Sequence, residues 1–156
     1  MAIRVELDLG YEFTVRAPIK DVYDLVSDVP RSVSHFPKVE QLDDLGDGAY
    51  RWKMEKVGTA QVNIQTVYAS QYVCDRKKGS VIWTPVKGEG NALVGGSWKL
   101  TETKKGTTLE LKISGVAEVP LPGLMKMVVV PVVQAEFEKL VEKYIDNLIR
   151  EFGGEV

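Results

Sequence analysis

Only one cysteine, Cys74, and one histidine, His35, occur among the 156 residues. A lone cysteine excludes an internal disulfide and a zinc site built from several thiolates. A metal site would need carboxylates for most of its ligands. Asp43, Asp44 and Asp47 do cluster, but around a turn, where solvated acids are the common case; neither a metal nor another cofactor is expected. A large excess of charge is also missing, with 20 Lys and Arg against 22 Asp and Glu. Nucleic-acid binders carry a basic excess or stripe, so nucleic acid is not an expected partner. The long apolar run, residues 121–133, is broken by Pro122, Lys126 and Pro131. As a helix it would rise about 20 Å, short of the ~30 Å hydrocarbon layer of a membrane. The first ten residues alternate charged and apolar side chains, with no apolar core or cleavage signature. Together with the single thiol this makes a reducing, cytoplasmic setting the expectation.

Periodicity is what the chain does have. Ile3, Val5, Leu7, Leu9, Tyr11, Phe13 and Val15 alternate with polar residues or glycine, the period of a half-buried antiparallel strand. At the other end Val133, Phe137, Leu140, Val141, Tyr144, Ile145, Leu148 and Phe152 recur at helical steps on one stripe. Between them, Pro18 opens a helix over 19–27 and a second short helix is expected over 31–36. Strand signals then follow one another, separated by tight turns such as Gly46-Asp47-Gly48. One strand is expected to carry Val62, Ile64, Thr66 and Tyr68 on a single face, with Gln61 opposite. Strands joined by such short turns must be antiparallel. The expectation is one α+β domain, residues 1–156. An antiparallel sheet of about seven strands curves around the long C-terminal helix, with two short helices after the first strand.

Several phrases carry a family resemblance: F-x-V-x-A-P at 13–18, V-Y-x-L-V-S-D-V at 22–29, H-F-P-x-V at 35–39, and L-G-D-G-x-Y at 45–50. To these add Gly-Glu-Gly-Asn-Ala at 88–92 and Gly-Ser-Trp at 96–98. Over nearly the whole chain these resemble the START/Bet v 1-like superfamily, also called SRPBCC, the helix-grip fold. Within it the likeness is to polyketide cyclase/dehydrase-like proteins and to proteins like the G subunit of carbon monoxide dehydrogenase. The resemblance implies binding or transport of a lipid, quinone or polyketide-like molecule between sheet and helix. The alternative it implies is a cyclase or dehydrase working in the same cavity.

A sheet wrapped around one helix leaves space between them, so inward aromatic and methionine side chains are candidate ligand contacts. They are Tyr11, Phe13, Trp52, Met54, Tyr68, Trp98, Phe137 and Tyr144, with Thr66 as a polar group and Met125 from the apolar segment. Plain core packing is the competing reading for each. If Trp98 lines a cavity, its truncation to Ala should cost less than the ~3–5 kcal/mol of a core truncation. His35 is a candidate general base at the cavity mouth, or else a helix-terminal residue facing carbonyls and water. The glycines at 88, 90, 95 and 96 lack the following helix that a phosphate loop requires, and are expected to serve strand bends. Residues 121–130 are expected to form a buried connector that doubles as a gate hinged at Gly123. The other reading is a surface for transient membrane or protein contact.

Overall fold

The computed structural model describes residues 3–58 and 63–156. Gln61 and Val62 lie outside them. The N-terminal alternation becomes strand β1 (Ile3–Val15), with Ile3, Val5, Leu7, Phe13 and Val15 buried. Helix α1 (Ile19–Val26) starts directly after Pro18. Helix α2 covers Val29–Val33, not 31–36. The cause is Asp28, whose carboxylate accepts the Arg31 N–H at 3.3 Å and caps the helix there. Pro30 then falls in the first turn, where its missing N–H has no helical partner to lose.

Eight strands follow: β2 (Val39–Gly46), β3 (Ala49–Met54), β4 (Val57–Gly58), β5 (Asn63–Ile64), β6 (Val67–Asp75), β7 (Ser80–Val86), β8 (Ala92–Thr103) and β9 (Gly106–Val119). The β2–β3 turn takes positive φ at Gly46, Asp47 and Gly48, with values of 90°, 54° and 81°. Seven strands make one antiparallel sheet in the order β1-β9-β8-β7-β6-β3-β2. The other two, β4 and β5, pair only with each other. The single strand expected to hold Ile64 and Tyr68 is therefore two. Asn91 clasps the break, donating to the Gln65 carbonyl and accepting the Val67 N–H, both at 2.8 Å.

Strand pairing also explains the curl of the sheet. β7 pairs with β8 only as far as Trp83↔Gly96, while its pairing with β6 runs on to Ala69↔Val86. Beyond Trp83 the two strands part. Ser70 of β6 crosses the opening and donates to the Val94 carbonyl of β8 at 2.7 Å. Gly96 sits where a Cβ would overlap the Lys112 carbonyl oxygen and come within 2.7 Å of the Trp83 ring, so a glycine is needed for the β9 backbone and the indole to lie this close.

Helix α3 (Lys126–Glu151) lies across the curled sheet, entered through a tight 3-10 turn at Gly123–Met125. Leu140, Val141, Tyr144, Ile145 and Leu148 are its buried stripe. The chain end returns to β1, where the Val156 N–H donates to the Thr14 carbonyl at 2.9 Å. The beginning of α3 corrects the buried-connector expectation. Val129 packs on Ile3, Val5, Leu7 and Val119, but Leu124, Met127 and Val128 are 98%, 90% and 66% exposed. The segment is helical from Lys126, and a helix can press only one face on the sheet. The opposite apolar face is left in solvent. No helix among the described residues is long and apolar enough to cross a membrane.

Candidate ligand-binding site

Space between α3 and the sheet is divided into two chambers. The inner one encloses about 40 Å³ and is walled by α2, α3 and the middle of the sheet. The outer one encloses about 120 Å³ and opens between the first half of α3 and the ends of the strands. Tyr68, Val94 and Phe137 border both and form the partition. These volumes decide what fits. The inner chamber has room for water alone, whereas a cavity of ~150 Å³ takes up benzene. The outer chamber is slightly smaller than that but not fully enclosed, with room for one ring or the end of a chain, and is below the ~300–1,000 Å³ of a drug-sized pocket.

Aromatic side chains fill the inner chamber's wall. Trp52 stacks on Tyr68 with ring centres 5.5 Å apart, and Phe36 meets Trp52 edge-on at 5.4 Å. Trp98 lies 6.1 Å from both Phe13 and Tyr144. Two of the polar ends are paired: Trp52 Nε1 donates to the Tyr72 hydroxyl at 3.1 Å, and the Ser32 and Tyr144 hydroxyls share a hydrogen bond at 2.5 Å. Burial, the larger effect, pushes the Tyr144 phenol up to about 12 against the pull of its Ser32 hydrogen bond. Burial raises Tyr68 and Tyr72 as well. All three phenols are protonated at neutral pH, so they can donate a hydrogen bond or a proton but cannot act as bases. Trp98 is only 2% exposed. Its truncation is consequently a full core truncation, and the smaller cost expected for a cavity-lining residue is withdrawn.

The outer chamber is built differently. From α3 it receives Val132, Val133, Glu136, Phe137 and Leu140, spaced as one helical face. Leu7, Met54, Val94 and Ala117 face them from four strands, and Lys38, Glu55 and Thr66 add polar groups. Lys38 holds φ at 59°, a left-handed conformation uncommon for a side chain of its kind. Its carbonyl accepts the Glu55 N–H at 2.8 Å, which ties the two residues together at this chamber.

Of the residues singled out from sequence, Trp52, Trp98 and Tyr144 border the inner chamber, Met54 and Thr66 the outer, and Tyr68 and Phe137 both. Tyr11, Phe13 and Met125 border neither. Phe13 supports Trp98 from behind, Met125 packs with Val129 and Val119, and Tyr11 is half-buried near Glu142 and Glu138 of α3. His35 also borders neither chamber. Its Nδ1 lies 3.0 Å from the Arg31 carbonyl and its Nε2 4.0 Å from Glu151, at the far end of α3 from the opening. Sequence reasoning missed Glu136, Lys38 and Ser32. Glu136 carried a usable signal, since it lies three residues after Val133 and four before Leu140, an acid on the apolar stripe. Among the described residues, no group of three or more His, Cys, Asp or Glu is placed to hold a metal. Asp43 instead pairs with Arg51 at 2.9 Å, and hydrogen bonds from Gln41 and Arg51 hold its carboxyl below the usual range.

Residues 7–151 match the family described as polyketide cyclase / dehydrase and lipid transport, and the chain belongs to that family. No curated protein matches it significantly in sequence. Among solved structures it is similar to a START superfamily protein from Mycobacterium smegmatis, with a TM-score of 0.66 and 13% identity, covering 94% of this chain and 97% of that one. It is also similar to the Zhui aromatase/cyclase from a Streptomyces species, with a TM-score of 0.59 and 15% identity over 93% and 90% of the two chains. A conserved protein from Geobacillus kaustophilus gives a TM-score of 0.61 at 12% identity, over 97% and 95%. At such identities the likeness is one of fold: the START-like helix-grip.

Proposed function

We propose that this protein binds a hydrophobic small molecule, of the lipid, quinone or polyketide-like kind, between α3 and the sheet. The observation that carries the reading is the outer chamber, with mostly apolar walls from four strands and α3 and a few polar groups among them. Such a site buries an apolar body and orients it by few contacts, as small-molecule sites do. A single ring or chain end fits the chamber as it stands. A longer ligand would displace Phe137 from the partition and join the two chambers. The exposed apolar start of α3 supports the same reading, because Val128 lies one helical turn before Val132, which lines the chamber. Here an apolar ligand, or the membrane or protein delivering it, would make first contact.

A cyclase or dehydrase is the second reading, favoured by the family and by the buried Ser32–Tyr144 pair at the inner chamber. Its proton donor would come from that pair or from Tyr68, since His35 lies elsewhere. Solvent extraction of the purified protein followed by mass spectrometry tests binding, together with calorimetric titration by p-xylene. Recovery of an apolar molecule, or saturable p-xylene uptake, is the expected result. An empty extract with no uptake would end the binding reading.

A further inference from the structure

Glu136 Oε2 is buried and has no hydrogen-bond partner, the one such side-chain atom found among the described residues. Its residue belongs to the α3 face that lines the outer chamber. Buried polar atoms are paired in roughly nine cases of ten, and an unpaired charged acceptor is among the more costly exceptions. Packing alone offers no reason for an acid here, where Leu or Met would fill the place and complete the stripe from Val133 to Leu140. An ionised carboxylate is acceptor-only, so whatever satisfies it must be a donor. Lys38 and Glu55 bring one charge of each sign to the same chamber and offset one another. The remaining lining is mostly apolar, where a charged donor is costly to bury, so a neutral donor, a hydroxyl, is the fitting group.

We propose that Glu136 is the polar anchor of the ligand site, accepting a hydrogen bond from the hydroxyl of a compact apolar group such as a phenol or a primary alcohol. The inference rests on the binding reading and specifies its ligand. The chamber's 120 Å³ holds the ring or chain end. Thr66, which lines the same chamber from the segment between β5 and β6, offers a hydroxyl to the ligand's oxygen. The ligand's hydroxyl would supply the hydrogen bond that no protein group makes to Glu136 Oε2, and that bond becomes selectivity for a hydroxylated molecule over a plain hydrocarbon.

The test uses p-cresol and p-xylene, which have the same shape and exchange a hydroxyl for a methyl. Calorimetric titration of the intact protein gives the ratio of their affinities. In Glu136→Leu that ratio should shift against p-cresol by about tenfold or more, the scale of a hydrogen bond to a charged group. Glu138→Gln, an exposed acid on the same helix that lines neither chamber, should leave the ratio within about threefold of the wild type. Without ligand, Glu136→Leu should melt a few degrees higher, since an unpaired buried acceptor has been removed. If both probes bind and the ratio is the same in wild type and Glu136→Leu, the anchor is overturned while the binding reading stands. If neither probe binds the wild type, both are overturned. A lower melting temperature, or failure of Glu136→Leu to fold, would make Glu136 a structural residue and overturn the proposal as well.

Discussion

The inner and outer chambers share the same helix and the same sheet, yet they are made of different material. Around the inner one, Trp52, Trp98, Tyr68, Phe36 and Tyr144 interlock edge to face, with the Trp52 and Tyr144 polar ends satisfied within the protein. Around the outer one the wall is mostly aliphatic apart from the shared Tyr68 and Phe137, and two acids, a lysine and a threonine stand among the apolar groups. Large flat rings held by hydrogen bonds fill space and hold shape. An aliphatic wall with an unsatisfied carboxylate oxygen leaves space and asks for a partner. An aromatic-rich interior is therefore not in itself a binding site; here the aromatic part is closest to solid.

Trp98→Ala should break this contrast most forcefully. With 2% of its surface exposed, its loss should cost about 3–5 kcal/mol in urea unfolding. Affinity of the outer chamber for p-xylene should change by less than threefold in the protein that remains folded. A small stability loss with a large change in p-xylene binding would mean that the two chambers are one site. Alkaline titration is next in size. The Tyr144 phenol is raised from its ordinary value to about 12 in the folded protein. The folded state therefore holds its proton longer than the unfolded chain does. Stability from this group is complete below about pH 10 and is lost as pH rises through 12, by about 3 kcal/mol. Burial raises Tyr68 and Tyr72 in the same direction, so the measured loss between pH 10 and 12 should be at least that large. A flat profile in that window would show that the inner chamber is wet and open.

Ser32→Ala should cost about 1–3 kcal/mol, because it removes a hydrogen-bond partner of the buried Tyr144 hydroxyl. Adding Tyr144→Phe should recover part of that loss, and strict additivity in the double-mutant cycle would deny the coupling. The smallest effect belongs to the opening. Lys38 holds φ at 59°, and Lys38→Gly should gain about 1 kcal/mol or less by relieving that conformation. A destabilised Lys38→Gly would mean that the lysine side chain, and not its backbone, supports the outer chamber.

Much of the architecture was legible before any coordinates. The β1 alternation, the α3 stripe and the glycine turns each follow a local period or a local torsional need, and each appears where the pattern places it. Errors fell where a tertiary partner overrides a local signal. Asp28 moves the start of α2 because a side-chain cap reaches across Pro30. Asn91, about 25 residues downstream, holds the chain between β5 and β6 away from a continuous strand. The face of residues 124–128 that meets no strand is exposed, because apolar composition does not say which side of a helix will find a surface.

Residue order by itself determined which side chains point inward, since periods of two and 3.6 are properties of the local backbone. It thereby determined a helix laid against one face of an antiparallel sheet. How far apart the inward faces stand was decided only by the tertiary structure. β7 and β8 part beyond Trp83, α2 pushes Phe36 toward Trp52 and Tyr144, and Phe137 divides the remaining space. The same packing brings Lys38 and Glu136, 98 positions apart, to one chamber and leaves the Glu136 oxygen without a partner. Periodicity carries no information about the distance between opposing faces or about hydrogen bonds left unmade, because both depend on residues remote in the chain.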